Sequence, residues 1–189
     1  SYGGYFDSSV GSFTNSGEIS AEAYVGDAAG RGSQASSYAA GLYLDSGAND
    51  FSNSGVIEVT AIGGDATGNP WFFFNSEVNV SAVGIYAADY VNNFDNSGEI
   101  IVDAQGGSAV GLGSEVNVYG VGVYFDSWGV SFANSGESIT VSAAAGNAEG
   151  WFSGVEAEAT GVSTSGRVEN FDNSGEITVT AGVGNAAGV

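Results

Sequence analysis

Phe51-Ser52-Asn53-Ser54-Gly55 is the stretch of sequence that decides the fold, because the pattern Phe-x-Asn-Ser-Gly recurs along the whole chain. The five copies are Phe13–Gly17, Phe51–Gly55, Phe94–Gly98, Phe132–Gly136 and Phe171–Gly175. Their Asn residues are 38, 43, 38 and 39 positions apart in a chain of 189 residues. A period of this length is typical of stacked repeat proteins, in which each repeat completes its core against its neighbours. The spacing therefore predicts a single repeat domain over residues 1–189.

Each motif lies inside a longer constant block. A Gly stands 12 residues before each motif Asn, and a small polar residue followed by Ala-x-Gly stands about 12 residues after it. The blocks cover about residues 1–30, 39–68, 82–111, 120–150 and 159–189. Only the connector between the second and third blocks is long. Both ends of the chain coincide with block ends, so we expect a solenoid with two open ends, as in a processed subunit or a segment trimmed to its repeats.

Apolar and polar residues alternate strictly after each motif, as in Ile57, Val59 and Ala61. A period of two indicates a β-strand with these residues on one face. A second alternating run, Glu77-Val78-Asn79-Val80, lies half a repeat away and has a similar pattern. We therefore predict an all-β fold, a β-solenoid with about two coils per 38–43-residue repeat. Ten coils would span ~48 Å at ~4.8 Å per strand. The alternative, an array of small β-sandwiches, leaves each repeat too short to bury its own core.

Two internal columns follow from this register. The motif Phe residues are predicted to form an aromatic column: Phe13, Phe51, Phe94, Phe132 and Phe171. The motif Asn residues are predicted to form an amide ladder in which each side chain bonds to the next: Asn15, Asn53, Asn96, Asn134 and Asn173. We interpret both columns as structural, because the ladder amides are placed to satisfy each other.

The charge of the chain limits its partners. It contains 22 acidic residues, two Arg and no Lys or His, for a formal net charge of −20. Over ~48 Å this is about one negative charge per 2.4 Å, close to the ~1.7 Å of duplex DNA. Nucleic acid and anionic membrane surfaces are therefore excluded as electrostatic partners. The chain has no Cys and no apolar run of membrane-spanning length, so we expect neither disulfides nor membrane insertion.

The motif followed by Glu-Ile-x-Val-x-Ala, with Gly-rich turns, resembles the passenger repeats of bacterial autotransporters and related secreted adhesins. The resemblance covers essentially the whole chain. It implies a right-handed parallel β-helix, extracellular or on the bacterial cell surface, with no catalytic residues. The chain departs from a full autotransporter because it contains no translocating barrel and no linker helix.

The function expected from these features is structural. One hypothesis is that the protein is the subunit of a self-assembling filament, a homo-oligomer formed through the open solenoid ends or through lateral contacts. The alternative is an adhesin passenger segment that binds glycans or cells. We expect no enzymatic activity, because His, Cys and Lys are absent. A polysaccharide-active β-helix enzyme, the remaining alternative, needs a localised acidic cluster, whereas these acidic residues recur with the repeat.

One acidic column is a candidate metal site. If the two alternating runs superimpose, the following carboxylates stack on consecutive coils ~4.8 Å apart: Glu77, Glu99, Glu115 and Glu137. Carboxylates this close repel each other, and we hypothesise that Ca²⁺ or Mg²⁺ bridges them. The alternative is a solvated acidic face, and Ser138 is expected to displace Glu137 from the column. A second cation candidate is a column of turn residues: Asp27, Asp65, Ser108, Asn147 and Asn185.

Aromatic residues outside the Phe column are candidate binding residues. Trp71, Phe72 and Phe73 lie in the long connector, and Trp128 and Trp151 fall near corners. Exposed rings at these positions could stack on sugars or contact a neighbouring chain. The alternative is that the connector packs against the side of the solenoid. A further regular column, either an aromatic stripe or a cross-coil ladder, consists of Tyr43, Tyr86 and Tyr124.

Overall fold

The computed structural model describes residues 1–68, 75–126 and 130–188, which form five coils of four β-strands each. Coil 1 contains β1 (Tyr2–Phe6), β2 (Val10–Asn15), β3 (Glu18–Tyr24) and β4 (Ala28–Ala29). Coil 2 contains β5 (Gln34–Leu44), β6 (Ala48–Asn53), β7 (Val56–Ile62) and β8 (Ala66–Thr67). Coil 3 contains β9 (Glu77–Ala87), β10 (Val91–Asn96), β11 (Glu99–Gln105) and β12 (Ala109–Val110). Coil 4 contains β13 (Glu115–Phe125), β14 (Val130–Asn134), β15 (Ser138–Ala144) and β16 (Ala148–Glu149). Coil 5 contains β17 (Gly154–Thr164), β18 (Val168–Asn173), β19 (Glu176–Gly182) and β20 (Ala186–Ala187).

Every strand pairs in parallel with the equivalent strand of the next coil. Four five-stranded sheets result: sheet 1 (β1-β5-β9-β13-β17), sheet 2 (β2-β6-β10-β14-β18), sheet 3 (β3-β7-β11-β15-β19) and sheet 4 (β4-β8-β12-β16-β20). Ile57 lies beside Ile19 on one side and beside Ile100 on the other, so the register follows the repeat spacing. The fold is therefore a parallel β-solenoid of about five turns, and the described residues contain no helix. The right-handed winding that the resemblance implies stays a prediction.

The prediction of two coils per repeat is wrong, because one repeat makes a single turn. The alternating runs that begin at Ile57 and Glu77 lie on sheets 3 and 1 of the solenoid, which pack against each other across the core. Both strands bury one face, so apolar and polar residues alternate along both of them. This period of two is the same whether two strands form opposite walls of one coil or belong to successive coils. Five coils at ~4.8 Å span about 24 Å, half of the predicted length.

The core is a narrow column of small, branched and aromatic side chains. Ile57, Val59 and Ala61 on β7 are fully buried, as the alternating pattern predicts. The equivalent residues at the end of the solenoid are more open: Val179 on β19 is 44% exposed, whereas Val141 beside it is 1% exposed. Each coil thus completes its core against the next one, and coil 5 exposes a cross-section of that core.

Sheets 1 and 3 approach closely at a column of glycines. A Cβ atom on Gly84 would lie 2.4 Å from the carbonyl oxygen of Gly122 and 2.7 Å from Ile100 Cγ2. Gly41 and Gly122 are equally crowded in their own coils. The Gly that stands 12 residues before the motif Asn is therefore required for the close approach of two walls.

A search of the described residues for membrane-spanning helices found none that is long and apolar enough.

Candidate functional site

The motif Asn residues form one continuous ladder through the interior. Asn15 Nδ2 donates to Asn53 Oδ1 at 2.8 Å, and Asn53 donates to Asn96 at 2.8 Å. The ladder continues from Asn96 to Asn134 at 2.8 Å and from Asn134 to Asn173 at 2.7 Å. Asn53 and Asn96 are 0% exposed. These amides satisfy each other inside the protein, so the interior part of the ladder offers no ligand contacts.

The motif Phe rings form a second column beside the ladder. Phe51 and Phe94 stack with centroids 4.9 Å apart, and Phe94 and Phe132 stack at 5.2 Å. Phe13 and Phe171 extend the column at its two ends, at 5.1 Å and 4.8 Å from their neighbours. Phe51, Phe94 and Phe132 are almost fully buried. This column is therefore part of the core.

The Tyr column is a cross-coil ladder on sheet 1. Tyr43 and Tyr86 stack at 4.7 Å, and Tyr86 and Tyr124 stack at 5.2 Å. Tyr5 extends the stack from coil 1, at 5.2 Å from Tyr43. The rings of Tyr43, Tyr86 and Tyr124 are half-buried, so their edges reach solvent while their faces stack.

We expect the free energy of unfolding to fall at alkaline pH because of the tyrosines of sheet 1. Burial raises the pKa of Tyr38 from 10.0 to about 12, and burial also raises the pKa values of Tyr43 and Tyr86. The folded protein therefore favours the neutral phenols, and their contribution to the free energy of unfolding is full below pH 10. We expect that contribution to be lost as the pH rises from 10 to about 12. The measurement is the denaturant midpoint as a function of pH, followed alongside tyrosinate absorbance.

Tyr38→Phe is the control for this alkaline prediction. Phe keeps the ring that contacts Tyr2 at 5.8 Å but has no ionisable hydroxyl, so the variant should lose less stability above pH 10. A wild-type midpoint that stays constant up to pH 12 would contradict the prediction.

The prediction that four glutamates stack in one column is wrong. Glu77 and Glu115 are register partners in sheet 1, whereas Glu99 lies in sheet 3 opposite Ser138. Ser138 occupies the position that Glu137 was predicted to take, and its hydroxyl donates to Glu99 Oε1 at 3.3 Å. The extra residue in the fourth repeat thus displaces Glu137 from the strand, as expected.

Two amide donors contact Glu77, one member of the remaining glutamate pair. Asn79 Nδ2 donates to Glu77 Oε1 at 2.7 Å, and Gln34 Nε2 donates to Glu77 Oε2 at 3.3 Å. Across residues 1–68, 75–126 and 130–188, no group of three or more acidic side chains is arranged to hold a metal ion. A requirement for calcium therefore stays a prediction without a site on these four residues.

The turn column is a ladder of hydrogen bonds between coils. Asp27 Oδ1 accepts from the Asp65 backbone N–H at 2.9 Å, and Asp65 Oδ1 accepts from Ser108 at 2.7 Å. Ser108 Oγ accepts from Asn147 at 3.4 Å, and Asn147 Oδ1 accepts from Asn185 at 2.9 Å. The side-chain oxygens of the first four members therefore each have a backbone partner in the next coil, which gives this column a structural role.

Sequence reasoning missed the most exposed aromatic residue of the described chain. Trp71, Phe72, Phe73 and Trp128 lie outside the described residues. Trp151 is 59% exposed at the corner before β17, and the adjacent Phe152 is 89% exposed. Phe152 also has a φ of 64°, a left-handed conformation that L side chains rarely adopt. The signal for it was in the sequence: Gly150-Trp151-Phe152-Ser153 aligns with Gly30-Arg31-Gly32-Ser33, and Phe152 replaces a glycine.

Phe152 lies at the edge of a groove with a volume of about 420 Å³. The groove is lined by Asn75, Leu112, Gly113, Glu115, Phe152, Ser153 and Gly154. It runs past the corners of three successive coils, and its lining residues include Phe152, Asn75 and Glu115.

The two ends of the solenoid expose the interior ladders. At the coil 5 end, Phe171 is 55% exposed, whereas Phe132 beside it is 2% exposed. Asn173 Nδ2 donates only to the Gly175 carbonyl, at 3.1 Å, because no further coil of the described chain supplies an Asn acceptor. At the coil 1 end, Asn15 Oδ1 accepts from the Gly17 N–H at 3.2 Å. These are the groups that a further coil would contact.

Comparisons with protein-family models, with curated proteins and with solved structures found no match for this chain.

Proposed function

We propose that this protein is a structural component of the extracellular space or of a bacterial cell surface, and that its solenoids join end to end into a filament. The observation that carries the proposal is the complementarity of coil 1 and coil 5, the first and last coils of the described chain. No catalytic step is proposed, because the chain lacks the His, Cys and Lys side chains that most acid–base and covalent mechanisms use.

The hydrogen bonds between coils have a fixed direction. At every interior junction, the motif Asn of one coil donates its Nδ2 to the Asn of the next coil. The turn residue of that coil accepts from the backbone N–H of the next. Coil 5 therefore presents Asn173 Nδ2 as a donor and Asn185 Oδ1 as an acceptor. Coil 1 presents the matching groups, Asn15 Oδ1 and the Asp27 N–H.

A second copy stacked with its coil 1 on coil 5 would satisfy both ladders. The same register would bring Phe171 against Phe13 and Ile177 against Ile19, which are residues that stack on their own kind inside the solenoid. The open strand edges of the two coils would also pair. Such a contact joins two different surfaces, and it leaves an open end on each new copy, so it propagates into a filament.

Negative charge opposes this junction. The net charge of −20 on about 24 Å of solenoid is about one negative charge per 1.2 Å of axis. Within the solenoid, Glu18, Glu99 and Glu176 never meet, because Val56 and Ser138 separate them in the register. At a junction, Glu176 would lie directly opposite Glu18 of the next copy. Like charges in register destabilise a sheet, and salt screens them.

We therefore expect assembly to depend on ionic strength. The purified chain should be monomeric at low salt, and it should form filaments as the salt concentration rises, with an axial step of about 24 Å per subunit. Negative-stain electron microscopy and sedimentation velocity measure both states. Filaments that form only with Ca²⁺, and that a chelator disperses, would add a cation to the junction. Particles that stay dispersed at every salt concentration, with and without Ca²⁺, would contradict the proposal.

Val179→Lys tests the location of the contact. Val179 is a core-facing residue that coil 5 leaves 44% exposed, so a Lys there would place an ammonium group inside the junction. Filaments should disappear. Val110→Lys is the matched control, because it makes the same change at a residue that is 37% exposed on the side of coil 3. Loss of filaments in Val110→Lys but not in Val179→Lys would indicate lateral assembly instead.

A second candidate function is an adhesin segment that binds glycans. The observation that favours it is the exposed aromatic corner at Trp151 and Phe152, which no ladder or core contact explains.

A further inference from the structure

We propose that the groove beside Phe152 binds a neutral oligosaccharide, with the Phe152 ring as the platform for a sugar. This inference specifies the ligand and the residues of a lateral site. It does not depend on end-to-end assembly, because the groove lies at the coil corners and the filament contacts lie at the solenoid ends.

The backbone at Phe152 carries strain that the fold does not require. The corners of coils 2 and 5 have the same geometry: Ser33 Oγ donates to the Gly30 carbonyl at 3.1 Å, and Ser153 Oγ donates to the Gly150 carbonyl. Gly32 takes a φ of 61° in the first corner, and Phe152 takes a φ of 64° in the second. A non-glycine residue in this conformation costs about 1 kcal/mol.

Packing does not offset that strain. The Phe152 side chain is 89% exposed, so the fold gains little burial from the ring. A glycine at this position would make the corner without strain, as Gly32 does. Strained, exposed residues of this kind are typical of ligand sites.

The groove supplies a place for the ligand. Its volume of about 420 Å³ lies within the ~300–1,000 Å³ range of small-molecule sites. Gly113 occupies the position of Phe152 in the corner of coil 4, and it adds no side chain to the groove. A Cβ atom there would lie 2.5 Å from Asn75 Oδ1, so the glycine also lets the corner approach Asn75 closely.

The lining matches the chemistry of a sugar. A pyranose has an apolar C–H face, which stacks on the electron-rich face of an aromatic ring, and a rim of hydroxyl groups. The Asn75 amide can donate and accept hydrogen bonds, and the Glu115 carboxylate accepts them. Both residues line the same groove as Phe152.

Electrostatics selects neutral sugars over acidic ones. Glu115 lines the groove, and Glu77 is its register partner on the neighbouring strand. The whole chain carries a net charge of −20. Uronates, sialylated glycans and sulfated glycans would therefore be repelled.

Binding is tested with a panel of neutral oligosaccharides, namely maltohexaose, cellohexaose, hexa-N-acetylchitohexaose and xylohexaose, beside hexagalacturonate and sialyllactose. Saturation-transfer NMR detects binding, and titration calorimetry at low salt measures the affinity of the wild-type monomer. We expect at least one neutral member to bind, neither acidic member to bind, and added salt to leave the affinity unchanged.

Phe152→Gly is the decisive variant, because it gives coil 5 the residue that coil 2 uses at the same corner. It should fold with an unchanged or raised Tm, and it should bind the sugar at least about tenfold more weakly. Tyr24→Leu is the matched control: it removes an aromatic ring that is 64% exposed on coil 1, and it should keep wild-type affinity.

Four results would overturn the proposal. They are the absence of binding by every neutral member at about 10 mM, equal affinity in Phe152→Gly, preference for the acidic members, and binding that salt weakens strongly. Phe152→Gly should still form filaments wherever wild type does, so failure of this inference is distinct from failure of end-to-end assembly.

Discussion

Phe94→Ala is expected to lower the free energy of unfolding by about 4 kcal/mol. Phe94 is 1% exposed in coil 3, and its ring stacks between Phe51 at 4.9 Å and Phe132 at 5.2 Å. Phe125 contacts its edge at 5.3 Å. Alanine would leave a cavity in a narrow core whose walls are held in register by the flanking sheets. The site therefore collapses little, so the cavity adds to the loss of buried apolar surface. Guanidinium unfolding followed by circular dichroism measures it.

Phe171→Ala is the matched control, since it removes the same motif residue from coil 5. Phe171 is 55% exposed and stacks on one face only, at 4.8 Å from Phe132. The monomer should lose about 1 kcal/mol, because less apolar surface is buried. Equal losses in the two variants would contradict the view that the interior column stabilises the fold. Repeating the pair under filament conditions adds a test of assembly, because Phe171 should then behave like Phe94.

The fold class could be predicted from the sequence because its signals are local and repeat. Alternation after the motif marks strands, and the period marks stacking, so the Phe and Asn columns follow from register alone. The predicted number of coils per repeat was wrong, although the predicted Asn ladder is compatible with only one coil per repeat. With two coils per repeat, successive motif Asn residues would be ~9.6 Å apart, too far for direct bonding. The bond of 2.8 Å from Asn53 to Asn96 requires one coil per repeat.

The candidate sites were less predictable because they depend on how sheets face each other. The glutamate column failed for the same reason as the coil count, since Glu77 and Glu99 lie on different sheets. Phe152 was missed because the residue types of a corner do not by themselves indicate which residue has a positive φ. Only the alignment with Gly32 would have shown a bulky residue where the backbone is left-handed. The complementarity of the ends was also invisible, because the direction of the Asn bonds is not a property of residue type.

Asn96→Leu is expected to lower the free energy of unfolding by about 3 kcal/mol, although it keeps the number and branching of the side-chain heavy atoms. Asn96 is 0% exposed, and it accepts from Asn53 and donates to Asn134, each at 2.8 Å. Leucine removes both bonds and leaves one donor and one acceptor buried without their ladder partner. Each such group costs about 1–3 kcal/mol, partly offset here by the longer bonds from Asn53 Nδ2 to backbone carbonyls at 3.3 Å. Thermal and denaturant unfolding of the monomer measure the effect.

Asn92→Leu is the control for the ladder, because Asn92 lies on the same strand, β10, but is exposed and donates to Asn49 Oδ1 at 3.1 Å. Its loss should stay within about 0.5 kcal/mol. If Asn96→Leu were as stable as wild type, the amide ladder would contribute nothing, and its completion could not drive end-to-end assembly either. Asn173→Leu tests the role of the ladder bond in end-to-end assembly. It should lower the free energy of unfolding of the monomer by less than Asn96→Leu does, because it removes one ladder bond, the one that Asn134 Nδ2 donates at 2.7 Å, and Asn173 itself is exposed. It should also raise the salt concentration at which filaments form.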